Sequence, residues 1–121
     1  TAHSVGFLKE PIRLTVEKGM VTKIEGGSEA GKWREIFEKY GDPNSYNCPA
    51  EIAIGLNPNV TPIGIMRMDK KLYGATHIGV GDSIVLGGTC KAKLRLEGVI
   101  KEPLITVDSR IVTKGGKILV D

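Results

Sequence analysis

The chain has 121 residues, of which 40% are hydrophobic and 26% charged, and its formal net charge is +3 at pH 7. This composition is typical of one folded domain and excludes a disordered chain. Its basic and acidic residues are spread along the sequence without a long run of one sign, and only 5% of residues are aromatic. We therefore expect no nucleic-acid binding.

The same sequence gives no indication of a membrane or secreted protein. No apolar run approaches the roughly 18 residues that a transmembrane helix needs, and the first residues lack the pattern of a signal peptide. Cys48 and Cys90 are too few and too far apart for a disulfide framework or a CxxC site. These features favour a reducing compartment, and we predict a cytoplasmic protein.

The first forty residues predict a hairpin followed by a helix. Residues 1–10 form an entry segment, with His3 in a mobile terminus, and alternating apolar residues on either side of Gly19 then indicate a β-hairpin. Apolar residues spaced by three and four predict an amphipathic helix over residues 28–40, with Ser28 as its N-cap and Gly41 after its end. Its aromatic residues, Trp33, Phe37 and Tyr40, are expected to pack it against a sheet.

From residue 49 onward the sequence predicts strands and glycine-containing turns, with one helical turn near residues 66–72. The end of the chain repeats the hairpin pattern, with a turn at Lys114-Gly115-Gly116. The fold class is therefore α+β: a strand-dominated single domain over residues 1–121, with β-hairpins and one amphipathic helix.

Two predicted strands, 51–56 and 77–81, each begin with a side chain that can bind a metal. In the first strand, Glu51 shares a face with the small residues Ala53 and Gly55. In the second strand, His77 shares a face with Gly79 and Gly81. Glycine weakens a strand, so a face rich in glycine indicates that something approaches it closely. A metal or a substrate is the hypothesis that follows.

A third predicted strand, 94–97, supplies Glu97 as a third ligand, since a catalytic metal usually has three protein ligands and an open position. Carboxylate and imidazole groups suit zinc, cobalt, manganese or ferrous iron. Arg95 shares the face of Glu97, and its guanidinium could pair with Glu51 or Glu97 and replace the metal. A solvent-exposed glutamate and a hydrogen-bonded histidine remain as simpler interpretations.

Four motifs occur in order along the chain: CPAEIAIGLNPN (48–59), DKKLYGATHIGVG (69–81), Gly87-Gly88 and LRLEGV (94–99). They resemble the C-terminal part of thermophilic metallo-aminopeptidases, the leucyl aminopeptidases of the aminopeptidase T and aminopeptidase S group. The resemblance implies a hydrolase whose pair of divalent metals activates water to cleave the N-terminal bond of a peptide substrate. It also implies that Glu51 and His77 are metal ligands.

The chain departs from that family in two ways. Arg95-Leu96-Glu97 stands where the family has His-Leu-Asp or His-Trp-Asp, and the family's N-terminal part, with a further glutamate ligand, would precede Thr1. The sequence therefore predicts a domain that is incomplete or inactive alone, with a possible separate N-terminal half and a homo-oligomeric state.

Two alternatives accompany this prediction. One is a non-catalytic oligomerisation or binding module, without a metal, in which Arg95 replaces the ion. The other is a mononuclear iron oxygenase. It follows from the resemblance to a related branch, the dihydroxypyridine ring-cleaving dioxygenases, whose single ferrous ion uses positions that correspond to Glu51, His77 and Glu97.

Overall fold

The computed structural model describes residues 1–120 and shows a strand-dominated α+β fold, as predicted. The elements in chain order are β1 (Arg13–Glu17), β2 (Met20–Glu25), α1 (Ser28–Tyr40), β3 (Glu51–Ile54), α2 (Met66–Asp69), β4 (Thr76–Gly81), β5 (Arg95–Ile100), β6 (Ile105–Val107), β7 (Arg110–Lys114) and β8 (Lys117–Ile118). Short 3-10 helices cover Pro43–Tyr46 and Ile84–Leu86. The strands form three antiparallel sheets, β1-β2, β3-β4-β5 and β6-β7-β8.

The N-terminal hairpin and the helix follow the predicted pattern closely. Lys18 and Gly19 form the turn between β1 and β2, and both have positive φ, which is typical of a two-residue hairpin loop. The prediction that Ser28 caps α1 is wrong, because Ser28 already belongs to the helix and Gly27 is the N-cap. The hydroxyl of Ser28 donates instead to the carboxylate of Glu29.

Helix α1 packs on the central sheet β3-β4-β5. Trp33 and Phe37 are only 2% and 1% exposed and form the core with Val80 and Leu96 of the sheet. Tyr40, which was expected to share this role, is 57% exposed. The sheet face that carries Ile78, Val80 and Leu96 is therefore the core face, and the opposite face is available for polar groups.

The entry segment is tied to the edge of β5 rather than left mobile. Ala2 pairs with Gly98, and the backbone N–H of His3 donates to the carbonyl of Glu97 over 2.9 Å. The indole N–H of Trp33 donates to the carbonyl of His3, also over 2.9 Å. His3 therefore lies beside the strand that carries Glu97.

No helix within residues 1–120 has the length and apolar character needed to cross a membrane. Cys48 is buried, Cys90 is partly buried, and neither is part of a disulfide within the described chain. Burial raises the pKa of the Cys48 thiol.

Candidate metal centre

The register of the central sheet brings the three predicted ligands together. Gly79 of β4 lies directly opposite Glu51 on one side and Glu97 on the other. His77 lies two residues before Gly79, so its side chain is on the same face of the sheet. One ligand atom from each of Glu51, His77 and Glu97 lies within 4.8 Å of the other two. The three side chains thus converge closely enough to be candidates for the ligands of one metal ion.

Glu51 and His77 are in direct contact. Nε2 of His77 lies 3.1 Å from Oε1 of Glu51, and since a carboxylate oxygen accepts hydrogen bonds, the Nε2–H of the ring donates. Nδ1 of His77 and Oε2 of Glu51 are both buried and have no hydrogen-bond partner. Buried polar atoms normally have a partner, so these two atoms are exceptions among the described residues.

Glu97 differs from Glu51 because cations already contact both of its oxygens. Nζ of Lys70 lies 2.9 Å from Oε2 and Nε of Arg95 lies 3.4 Å from Oε1, while Glu97 itself is only 1% exposed. Burial acts to raise the pKa of Glu97, but the hydrogen bond and charge of Lys70, together with Arg95, hold it below the ordinary glutamate value. Glu97 is therefore ionised at neutral pH.

The predicted contact between Arg95 and a carboxylate is present, with Glu97 as the partner. The stronger contact, from Lys70, was not predicted. Lys70 follows α2 and is 27 residues away from Glu97 along the chain. It lies within the DKKLYGATHIGVG motif (69–81), but no spacing or periodicity marks it as a partner of Glu97.

The glycine-rich faces have two different causes. A β-carbon at Gly55 would collide with the carbonyl of Leu72, and one at Gly81 with the carbonyl of Leu94. At these two positions the approaching group is backbone, so the expectation that a metal or substrate explains both faces is only partly right. Gly79 is the glycine that lies between the two carboxylates.

A cleft of about 520 Å³ borders this cluster and is open to solvent. Its lining includes Ile54, Leu56, Pro58, Lys70, Lys71 and His77. Because His77 and Lys70 are shared with the cluster, the cleft connects the candidate metal centre to solvent.

Nη1 of Arg95 and Nδ1 of His3 are also buried without a hydrogen-bond partner, and His3 belongs to the segment beside β5. Burial lowers the pKa of His3 more than the negative charge of Glu97 raises it, and the positive charges of Lys70, Arg95 and Arg67 also lower it. His3 thus adds a neutral ring to the surroundings of Glu97.

The fold and the cluster together define a small strand-dominated α+β protein with a candidate site for one metal. The family model of NicX, 2,5-dihydroxypyridine 5,6-dioxygenase, matches residues 2–119, and the chain belongs to this family. It is 30% identical over 122 residues to 2,5-dihydroxypyridine 5,6-dioxygenase from Pseudomonas putida KT2440. This match covers 93% of this chain and 35% of the relative.

The solved structure of the 2,5-dihydroxypyridine dioxygenase from Pseudomonas putida KT2440 has the same fold. It matches with a TM-score of 0.84 and 26% identity, over 94% of this chain and 35% of that one. The chain therefore spans about a third of the length of the relatives it matches.

These matches overturn the resemblance to leucyl aminopeptidases, and the interpretation as a hydrolase or metalloprotease is wrong with it. The motifs around Glu51 and His77 form strands β3 and β4 of the central sheet, and the strands of a fold do not specify a reaction. The comparisons agree with the resemblance to the dihydroxypyridine dioxygenases, on which the alternative prediction of an oxygenase rests.

Proposed function

We propose that this chain is the metal-holding part of a dioxygenase that acts on a hydroxylated aromatic ring, with Glu51, His77 and Glu97 binding one ferrous ion. The observation that carries the proposal is the convergence of these three side chains within 4.8 Å. Membership of the NicX family supports the reaction class. The relatives are much longer than this chain, so their activity, substrate and partners are extended to it only as a proposal.

The chemistry of the cluster suits such an ion. Two carboxylates and one imidazole offer oxygen and nitrogen ligands, which are compatible with ferrous iron and with manganese. A metal bound between Glu51 and His77 would replace their direct contact of 3.1 Å, and Oε2 of Glu51 is a further oxygen atom without a hydrogen-bond partner. When bound, ferrous iron would supply the reactivity toward dioxygen that amino-acid side chains lack.

The protein's own residues would hold and orient the reacting groups. Glu51 and Glu97 would supply negative charge to the ion, and His77 would supply a nitrogen ligand. Ile54, Leu56 and Pro58 give the adjacent cleft an apolar wall that suits a planar ring. Lys70 at the same cleft offers positive charge to ring oxygen atoms.

A metal-free binding module is the second candidate function. It is favoured by a specific observation, the contact of Lys70 and Arg95 with the two oxygens of Glu97. In this interpretation the two cations replace the ion permanently. The predicted homo-oligomer and a separately supplied N-terminal part remain predictions under either function.

Anaerobic equilibrium dialysis of the chain against ferrous iron distinguishes the two candidates. We expect one ion per chain. Glu51→Gln and His77→Gln should each lower the affinity about 100-fold or more, because each removes a ligand. Loss of a residue that only supports a ligand typically costs about 10- to 100-fold. Glu35→Gln, an exposed change on α1, is the matched control and should bind like the wild type. Absence of saturable binding would favour the metal-free module.

A further inference from the structure

We propose that Lys70 is an exchangeable counter-ion, which pairs with Glu97 and moves into the cleft when a divalent metal binds. The inference rests on the proposed function, because it concerns the same metal site. It explains how one carboxylate can be paired with cations and still serve as a ligand.

The charged side chains around Glu97 balance one another. Glu97 is 1% exposed, and Lys70 and Arg95 contact its two oxygens. The carboxylates of Glu51 and Glu97 carry two formal negative charges, and Lys70 and Arg95 carry two positive charges. These formal charges cancel. Pairing of this kind is what allows an ionised carboxylate to be buried.

Binding of a metal would disturb this charge balance. A divalent ion between Glu51 and Glu97 would add two positive charges to a cluster that is already balanced. Uncompensated charge is costly in a poorly solvated site, and the ammonium of Lys70 would also lie beside the ion. Metal binding is therefore favourable only if a cation leaves.

Lys70 is better placed to leave than Arg95. The side chain of Lys70 is 25% exposed and lines the open cleft, so its flexible stem gives the ammonium a direct route to water. Arg95 does not line the cleft, and its Nη1 atom is buried. Lys70 is thus the group that can move without a change in the backbone.

Manganese binding by variants of Lys70 tests the inference, since Mn²⁺ is stable in air and suits the same ligands. We expect Lys70→Met to bind Mn²⁺ about tenfold more tightly than the wild type, measured by isothermal titration calorimetry. The same variant should have a lower melting temperature without metal, because Glu97 loses its closest cation, and a larger increase when Mn²⁺ is added.

Three further variants give the comparison its controls. Lys71→Met removes a neighbouring lysine of the cleft that makes no ion pair with Glu97 and should bind like the wild type. Lys70→Arg keeps the charge and should retain the wild-type affinity. Lys70→Gln keeps a hydrogen-bond donor for Glu97, so it provides a folded, uncharged variant if Lys70→Met does not fold, and it should also bind more tightly.

The outcomes separate this inference from the proposed function. Wild-type binding with equal or weaker affinity in both uncharged variants would overturn the exchange and leave the metal site intact. Binding by Lys70→Met or Lys70→Gln without binding by the wild type would support the competition and contradict the proposed function. Absence of binding in every variant would overturn both.

Discussion

A β-carbon added at Gly79 would lie 3.3 Å from the β-carbon of Glu51, directly across the β3-β4 pair. The same added atom would lie 3.7 Å from Cγ of Glu97 on the other side. The missing side chain at position 79 is therefore what gives both carboxylates room to converge.

Gly79→Ala should weaken metal binding with little effect on folding. The new methyl group would push Glu51 by a few tenths of an ångström, and such misplacement of a ligand should cost about 10- to 100-fold in metal affinity. The free energy of unfolding should change by no more than about 1 kcal/mol, since alanine is tolerated better than glycine within strands. Calorimetric titration with Mn²⁺ and urea unfolding measure the two effects.

Gly98→Ala is the matched control for this change. Gly98 lies on β5 of the same sheet, and its added β-carbon would make an ordinary contact with Trp33 at 3.9 Å. This variant should keep the wild-type metal affinity. An equal loss of affinity in both alanine variants would show that Gly79 has no special role between the carboxylates.

Asp69 should make folding sensitive to acid. Burial acts to raise its pKa, but hydrogen bonds from Thr1 and from the backbone N–H groups of Ile63 and Gly64 outweigh this and lower the pKa below 3.8. A carboxyl group whose pKa is lower in the folded state than in the unfolded state stabilises the fold at pH values above the unfolded-state pKa. This stabilisation is lost as the pH falls through the folded-state pKa. Urea unfolding between neutral pH and pH values below 3.8 should show the decrease.

Asp69→Asn should remove that part of the pH dependence. It should also cost about 1 to 3 kcal/mol at neutral pH, because an amide nitrogen cannot accept a hydrogen bond as the second oxygen does. Asp108→Asn, at an exposed turn position, is the control and should change neither quantity. The same acid sensitivity in Asp69→Asn as in the wild type would exclude Asp69 as its source.

Trp33→Phe should loosen the entry segment from the sheet. The change removes the indole N–H that donates to the carbonyl of His3 and leaves this acceptor without its partner. We expect a loss of about 1 to 3 kcal/mol in unfolding free energy. Hydrogen exchange should become faster at the N–H of Val99, which donates to the carbonyl of Thr1.

Tyr40→Phe provides the comparison on the same helix, since Tyr40 is 57% exposed. Its stability should remain within about 0.5 kcal/mol of the wild type. If Trp33→Phe left exchange at Val99 unchanged, the indole hydrogen bond would not be what holds the segment.

Local features of the fold could be predicted from the sequence because their causes are local. The spacing of apolar residues gave the limits of α1 as residues 28–40, and the structure has Ser28–Tyr40. The period of two along a strand placed Glu51 and His77 on definite faces. These patterns depend on neighbouring residues alone.

The surroundings of the site could not be predicted in the same way. Which residue lies opposite Gly79 depends on the pairing of three strands, and the position of Lys70 depends on the path of the chain through α2. His3 reaches Glu97 only because the entry segment adds to the edge of β5. Contacts of this range have no periodic signal in one sequence.

Anomalous scattering at the iron edge, from crystals prepared anaerobically with ferrous iron, tests the central claim most directly. We predict one iron peak per chain between Glu51, His77 and Glu97, with Nζ of Lys70 no longer at 2.9 Å from Glu97. A site without an iron peak between these three residues, with Lys70 and Arg95 still bound to Glu97, would contradict it.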